Sequence, residues 1–303
     1  MENVIQNRSE ILFLYDVKDG NPNGDPVDEN KPRIDEETNE NIVTDVRLKR
    51  TIRDYLYEYK NQEIFIREIR KEDSNLITKE ERMKQLGKDS IINKCIDIRL
   101  FGSTTAVENQ TLALTGPVQF KFGRSLHKVD LTYIKGTTVM PSGQEKKQGT
   151  FTERYILPYS LIAFYGIVNE NAAKMQNIPL TNNDIDLMME GIWNGTKNLI
   201  SGTKFGQMPR LLMQVIYKEN QNFFIGELDK YISIQSDLQD EALRDISDLK
   251  IDITKLVNVL KNHQDKIESI KYKVDERVNF VLDGKDITLS EALKDLPLKE
   301  FVF

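Results

Sequence analysis

The sequence predicts an α+β fold, and three observations carry this prediction. Apolar segments over residues 10–17, 155–168 and 211–217 are typical of buried strands. Residues 44–60 and 184–199 instead repeat apolar side chains at helical spacing, which predicts amphipathic helices. Strands and helices therefore alternate along 303 residues, a length that can bury a large core as one domain with sizeable insertions.

Composition limits the classes of protein to consider. The formal net charge of -6 argues against non-specific nucleic-acid binding by the whole surface, although it leaves room for a local basic groove. The one cysteine, Cys95, cannot form an internal disulfide, which fits a reducing compartment. The first eight residues are polar, and the most apolar run, 155–168, is too short to cross a bilayer. We therefore expect a cytoplasmic protein with no membrane partner.

The first strand leads into the turn Asp16–Asp25, and a polar loop then precedes the first helix, for which Thr44 or Asp45 is a suitable N-cap. Helical spacing predicts an inward face made of Leu48, Ile52, Tyr55, Leu56 and Tyr59. The same geometry points Arg50, Arg53 and Tyr57 away from the core and places Arg47 and Lys49 on the flanks.

The middle of the chain contains charged and glycine-rich segments. Residues 60–90 are mostly charged and resemble an insertion, and 118–122 predicts a strand. Residues 121–154 contain seven Lys and Arg against three acids, a net charge of +4, which indicates a basic hairpin or a disordered surface loop. Residues 226–303 alternate short helices and strands.

Four cations on the first helix, Arg47, Lys49, Arg50 and Arg53, could hold a phosphate backbone. The alternative is a solvated helix face with ion pairs such as Arg50 with Asp54. A second candidate site is Lys204-Phe205-Gly206-Gln207, which offers a cation, a ring and an amide for RNA, unless Phe205 belongs to the core.

Metal binding and catalysis are the competing hypotheses. Asp19, Asn21 and Asn23 match the opening of an EF-hand loop, but Asn30 stands where the bidentate Glu is needed. Asp16, Asp19, Asp25 and His127 could be imagined as a metal-dependent nuclease centre, although no ligand spacing favours it. A Gly/Asn-rich turn that lets the backbone approach a ligand fits better, so we expect no metal, cofactor or catalytic residue.

Several motifs, in one order, resemble a known family: Asp-Gly-Asn-Pro-Asn-Gly-Asp-Pro (19–26), Val-Thr-Asp-Val-Arg-Leu-Lys-Arg (43–50), Asp-Ile-Arg-Leu-Phe-Gly (97–102), Gly-Pro-Val-Gln (116–119) and Lys-Phe-Gly-Gln (204–207). Over residues 8–225 the chain resembles CRISPR-associated family seven, the backbone subunit of Cascade, and is most similar to its type I-B branch.

This resemblance implies a modified RRM (ferredoxin-like) palm with large insertions and a protruding thumb hairpin. The palm would comprise residues 1–60, 96–225 and part of 226–303. Residues 61–95 would form the finger or web insertion and 123–154 the thumb, with the rest of 226–303 unassigned. RNP-type aromatics are not evident, so base stacking on the sheet is not expected.

The family implies a non-catalytic subunit that polymerises head-to-tail along CRISPR RNA for RNA-guided DNA interference. Its partners would be CRISPR RNA, copies of itself, other Cascade subunits and the target DNA strand paired to the guide. The alternative is a metal-dependent endoribonuclease subunit of a related complex, using an acidic residue. The implied RNA-binding residues are Asn21, Asn23, Arg47, Lys49, Arg50, Arg53, Gln119, Arg124, Ser125, His127, Lys204, Phe205, Gln207 and Arg210.

Overall fold

The computed structural model describes residues 4–87, 90–107, 110–137 and 151–303. Its strands are β1 (Ser9–Gly20), β2 (Gly24–Asp25), β3 (Lys31–Pro32), β4 (Glu40–Val43), β5 (Gly102–Val107), β6 (Gln110–Thr115), β7 (Val118–Phe120), β8 (Gly123–Lys128), β9 (Thr132–Thr137), β10 (Phe151–Val168), β11 (Met208–Tyr217), β12 (Ser233–Gln235), β13 (Lys250–Asp252), β14 (Ile267–Val274), β15 (Phe280–Leu282), β16 (Lys285–Ile287) and β17 (Leu298–Glu300). Its helices are α1 (Asp45–Lys60), α2 (Lys79–Leu86), α3 (Ile91–Lys94), α4 (Ile96–Phe101), α5 (Glu170–Met175), α6 (Asn182–Lys197), α7 (Thr254–Asn262) and α8 (Leu289–Ala292). The mixed α+β class is confirmed.

The main sheet is built around β1, which pairs antiparallel with both β10 and β11. Its strand order is β17-β14-β11-β1-β10-β8-β4, and β7 and β9 also pair with β10. The run Ile11–Tyr15 is apolar at every position because both faces of β1 are covered. Phe13 enters one core with α1 and α6, whereas Leu12 enters a second core with the C-terminal residues.

Helices α1 and α6 pack together on one face of this sheet. The contact depends on glycine, because a Cβ at Gly195 would lie 3.0 Å from the Cβ of Tyr55 and 3.1 Å from the Thr51 carbonyl oxygen. As predicted, α1 begins after Thr44, whose side-chain oxygen accepts a hydrogen bond from the Arg47 N–H.

Two of the predicted orientations on α1 are wrong. Arg53 is 7% exposed rather than solvent-facing, because the segment that follows α1 packs against that side of the helix and supplies Asp97 as a partner. Tyr59 is 53% exposed rather than inward, and its ring stacks on Tyr55 near the end of the helix.

The charged segment after α1 has a small core of its own, formed by Phe65, Met83, Ile91, Cys95 and Ile98. Burial raises the pKa of the Cys95 thiol to about 12, so this cysteine is an inert apolar group at neutral pH. None of the helices in the described ranges is long and apolar enough to cross a bilayer.

The C-terminal residues cover the second face of the main sheet. They form a separate four-stranded sheet in the order β12-β13-β15-β16, together with α7 and α8. Their apolar side chains share one core with Leu12, Leu14 and β11. Strands β14 and β17 extend the main sheet itself, so this part of the chain is integral to the fold.

The longest strand, β10, pairs with different strands along its length. Its first residues, Phe151 to Ile156, pair with β9 in a two-stranded ribbon, and from Leu157 onward it pairs with β1. Residues 138–150, the middle of the predicted thumb hairpin, lie outside the described residues.

Candidate nucleic-acid interface

The turn after β1 fixes the N-terminus of α1. The Asn23 Oδ1 atom accepts hydrogen bonds from both the backbone N–H and the hydroxyl of Thr44, each at 2.9 Å. Asn21 is buried and donates from Nδ2 to the Asn30 carbonyl at 2.6 Å. Both asparagines therefore shape the turn and position the first residues of the helix.

The loop 199–207 docks on the same turn. The Asn21 N–H donates to the Thr203 carbonyl at 2.7 Å, and the N–H groups of Lys204 and Phe205 both donate to the Ser201 carbonyl. A Cβ at Gly20 would lie 3.0 Å from that Thr203 oxygen, so the close approach requires glycine. This contact brings Lys204 beside the first turns of α1.

Arg47 and Lys204 form a pair of like charges at this junction. Arg47 donates to the Thr51 hydroxyl at 2.9 Å, and neither cation has an ion pair with a carboxylate in the described part of the chain. Burial lowers the pKa of both groups, and the Arg47 charge lowers the pKa of Lys204 further. Asp54 raises the pKa of Arg47 through its charge, but it pairs directly with Arg50. Two half-buried cations without a direct ion pair favour an anionic ligand such as phosphate.

The rest of the loop is open to solvent. Phe205 is 73% exposed, so the alternative in which it belongs to the core is wrong. Gly206 follows in a left-handed conformation with φ of +86°. Arg154 from β10 contacts the loop and donates to the Gly202 carbonyl at 3.5 Å. The loop therefore presents an exposed ring, and two cations, Lys204 and Arg154, belong to or contact the same loop.

The other cations of α1 are engaged by carboxylates. Arg50 donates from Nε to both oxygens of Asp54 at 2.7 and 2.8 Å, which is the ion pair that the sequence suggested. Lys49 is buried, donates to Asp45 at 2.9 Å and lies 3.4 Å from the Oε1 atom of Gln119. These groups stabilise the helix and its contact with β7.

Arg53 has a wholly buried partner. Its Nε donates to Asp97 at 3.0 Å, and the same carboxylate accepts hydrogen bonds from the N–H groups of Phe65 at 2.8 Å and Ile66 at 3.0 Å. Asp97 thus ties the charged segment to α1.

The predicted RNA-binding residues on β8 make their contacts within the protein. Arg124 pairs with Asp35 at 2.8 Å and with Glu40 at 3.1 Å. The Ser125 hydroxyl donates to the His127 carbonyl at 2.6 Å. The imidazole of His127 accepts from the Leu161 N–H and contacts the Lys128 carbonyl, and its burial lowers its pKa.

The two remaining predicted residues are also buried. Arg210 lies between Asp16, whose oxygen is 2.9 Å from its Nε, and Asp275. Gln207, which immediately precedes β11, is 5% exposed. The structure therefore brings Arg47, Lys204 and Phe205 together at one surface, and it places Arg210 and His127 in the interior.

A metal centre is not assembled from the residues considered for one. Asp16 is engaged by Arg210 and Tyr159, and Asp25 by Arg33. Within the ranges that the structure describes, no group of three or more His, Cys, Asp or Glu side chains converges on one point.

Thr203 and Arg154 were missed by sequence reasoning. Thr203 acts through its backbone carbonyl, which leaves no signal in the side-chain pattern. Arg154 was counted only in the charge of the basic segment, because its nearness to Gly202 depends on how β10 pairs with β1.

The fold is similar to that of known proteins. One solved chain, from a "CRISPR RNA-guided surveillance complex", aligns with a TM-score of 0.53 at 13% identity over 89% of both chains. A second, from a "CRISPR RNA-guided surveillance complex, pre-nicking", aligns with a TM-score of 0.56 at 10% identity, over 97% of this chain and 96% of the other.

Sequence comparison then gives the family. The family model "CRISPR-associated protein Cas7" matches residues 7–254. The chain is 32% identical over 317 aligned positions to "CRISPR-associated protein Cas7" of Haloferax volcanii, covering 94% of this chain and 92% of that relative. The chain therefore belongs to the Cas7 family, as its motifs predicted; the type I-B assignment stays a prediction.

Proposed function

We propose that this chain is a backbone subunit of a Cascade-type complex that binds CRISPR RNA without cutting it and assembles head-to-tail along the guide. The single observation that carries the proposal is the half-buried pair Arg47 and Lys204, which forms no direct ion pair with a carboxylate of the described residues. The Cas7 family membership and the surveillance-complex neighbours support the same role. Its partners would be other Cascade subunits and the target DNA strand paired to the guide.

The order of the central elements supports an RRM-like palm. Along the chain they run β1, α1, β8, β10, α6, β11, and across the sheet the strands stand in the order β11-β1-β10-β8. This is the β-α-β-β-α-β succession of a ferredoxin-like unit. On this proposal, the segment 61–95 is the finger or web insertion, 123–154 the thumb, and most of 226–303 a cover for the second face of the palm.

RNA would cross the palm where α1 begins. Arg47 and Lys204 would neutralise two phosphates, and each contact would release condensed counterions. The exposed ring of Phe205 would lie beside an unpaired base. Asn21, Asn23, Lys49 and the buried residues predicted from the sequence would act by positioning this surface, since their polar groups are engaged within the protein.

The first test measures the mass of complexes formed with single-stranded RNAs of increasing length at two salt concentrations. We expect mass to rise in subunit steps with RNA length and to fall at high salt. A single copy at every length would contradict polymerisation. Addition of magnesium with a complementary target RNA is expected to leave that target intact, and its cleavage would contradict a non-cutting subunit.

The second test changes the cation pair. Replacing Arg47 and Lys204 by alanine is expected to lower the slope of log affinity against log salt by about 1.4, since each single-strand phosphate contact contributes about 0.7. The matched control is Lys250→Ala with Lys285→Ala, which removes two exposed charges from the C-terminal sheet. Equal slopes in the two variants would contradict the phosphate site.

A further inference from the structure

A second cationic site lies on the other flank of α1. A cleft of about 380 Å³ separates α1 from the segment 65–82, and five cations line it: Arg50, Arg53, Arg67, Lys79 and Arg82. We refer to it as the arginine cleft. Its size falls within the range of sites that bind small organic ligands.

The arginine cleft carries more positive than negative charge. Its five cations meet three carboxylates among the described residues: Asp54 beside Arg50, Asp97 beside Arg53, and Glu63, which Arg67 and Arg82 share. Glu68 also lines the cleft, but it pairs with Arg70 outside it. Lys79 has no ion pair within the described ranges, so an anion entering the cleft would meet surplus positive charge.

Two buried donors in the cleft lack acceptors. The Nε atoms of Arg67 and Arg82 are buried and make no hydrogen bond to a described residue. Arg82 is held in place because its Nη2 donates to Glu63 and to the Ile64 carbonyl. Buried donors without partners are uncommon in folded proteins. The Arg67 Nε atom lies 3.9 Å from the Glu63 carboxylate, beyond hydrogen-bond distance.

The walls of the cleft are apolar. Phe65, Ile66, Ile69 and Ile77 line it together with Val46, which is 65% exposed at the start of α1. The guanidinium carbon of Arg67 lies 4.1 Å from the centre of the Tyr57 ring, which shows that this arginine already stacks on a flat surface. Arginine guanidinium groups beside an apolar wall suit a ligand that has both an anionic group and a flat apolar part.

The position of the arginine cleft favours a nucleic-acid strand over an acidic peptide. Arg50 lines the cleft and stands one helical turn after Arg47, so their side chains are neighbours about 5–6 Å apart at Cβ. A strand held by Lys204 and Arg47 would therefore reach Arg50, and with it the edge of the cleft, within one turn of α1, passing Asp54, which pairs with Arg50.

We propose that the arginine cleft binds one nucleotide of the RNA strand held by Arg47 and Lys204, with its phosphate on Arg67, Arg82 and Lys79 and its base against the apolar wall. This inference rests on the proposed function, because it requires that the chain binds RNA.

The test compares two double variants in the same segment. Arg67→Ala with Lys79→Ala removes two charges that line the cleft, whereas Lys84→Ala with Lys94→Ala removes two exposed charges that do not line it. In single-stranded RNA binding at several salt concentrations, the first variant is expected to lose about tenfold in affinity and about 1.4 in salt slope. The second is expected to change affinity by less than about twofold.

A crosslinking measurement locates the base. RNA carrying 4-thiouridine is irradiated with the intact protein, and crosslinks are expected within residues 65–82, lost in the cleft variant and kept in the control. Should the cleft double variant unfold, Lys79→Glu alone provides the same test, because Lys79 is a surface residue with no described ion pair.

Each contrary result has a distinct meaning. Equal losses in the two double variants, or no crosslink to this segment, would overturn the cleft and leave the Arg47 and Lys204 site standing. Normal RNA binding with loss of assembly into a larger complex would assign the cleft to an acidic protein partner and overturn the nucleotide. Absence of RNA binding by the unaltered protein would overturn both proposals.

Discussion

The carbonyl oxygen of Thr203 accepts a hydrogen bond from the backbone N–H of Asn21 at 2.7 Å, and this contact joins two segments 182 positions apart in the chain. Gly20 permits it, because any side chain there would collide with the same oxygen. Lys204, the next residue, is thereby held near Arg47 even though both are cations. A backbone contact thus sets the spacing of the candidate phosphate site.

Two substitutions of Asn23 are expected to separate effects on folding stability from effects on RNA affinity. Asn23→Ala removes the acceptor for two Thr44 donors and is expected to lower the free energy of unfolding by about 1 kcal/mol. Asn23→Asp retains the acceptor at a helix N-terminus and is expected to keep stability near that of the unaltered protein, while its charge opposes phosphate. Urea unfolding and RNA titration measure the two effects, and full RNA affinity in the aspartate variant would place the strand elsewhere.

Lys204 predicts a pH dependence of RNA binding. Its pKa lies below the ordinary value of 10.5 because of burial and the Arg47 charge, so it loses its proton before exposed lysines do. Affinity for oligoadenylate, whose bases do not titrate in the alkaline range, should therefore fall with rising pH before exposed lysines lose their protons at about pH 10.4. Lys204→Arg is expected to flatten the profile, and identical profiles for the two proteins would remove Lys204 from the site.

Asp97 and Asp54 form a matched comparison of buried and exposed ion pairs. Asp97→Asn leaves Arg53 without its counterion in the interior and is expected to lower the free energy of unfolding by about 3 kcal/mol. Asp54→Asn breaks a half-exposed pair with Arg50 and is expected to lower it by about 0.5 kcal/mol or less. Denaturant unfolding compares them, and similar values would mean that Asp97 does not anchor the segment after α1.

His127 predicts loss of stability in mild acid. Burial holds its pKa below the ordinary 6.5, so the unfolded chain binds the extra proton first. Stability is therefore complete above about pH 6.5 and falls as pH drops from there toward the pKa of the folded state, by up to about 1.4 kcal/mol per pH unit.

The measurement for His127 is urea unfolding at several pH values for the unaltered protein and for His127→Phe. The difference between the two pH slopes isolates the imidazole from the carboxylates that titrate in the same range. The phenylalanine variant is less stable at neutral pH because the Leu161 N–H loses its acceptor, but its slope should be shallower. Equal slopes would show that His127 does not contribute to acid sensitivity.

Local signals predicted the elements well. The apolar run 10–17 and the expected strand 211–217 fall within β1 and β11, and Thr44 caps α1 as expected. The cue in each case lies within a few residues of the element, so no distant contact is needed to find it.

Side-chain roles were harder, because distant residues decide them. Arg53 faces inward only because Asp97, 44 positions later, packs against α1. Arg210 was predicted at the RNA surface, yet Asp16 and Asp275 enclose it once β1, β11 and β14 are paired. Arg47 and Lys204 make no direct ion pair among the described residues, because Asp54, the carboxylate that acts on Arg47, pairs with Arg50 instead.

The dual pairing of β10 has a mechanical consequence. The strand is continuous from Phe151 to Val168, so the ribbon that it forms with β9 is fixed at Leu157, where the pairing with β1 begins. A load on the ribbon is transmitted along the backbone to β1, the most buried strand of the sheet. A sideways motion of the ribbon therefore requires breaking ladder hydrogen bonds or twisting the whole sheet. The base of the ribbon accordingly keeps a fixed direction relative to the sheet.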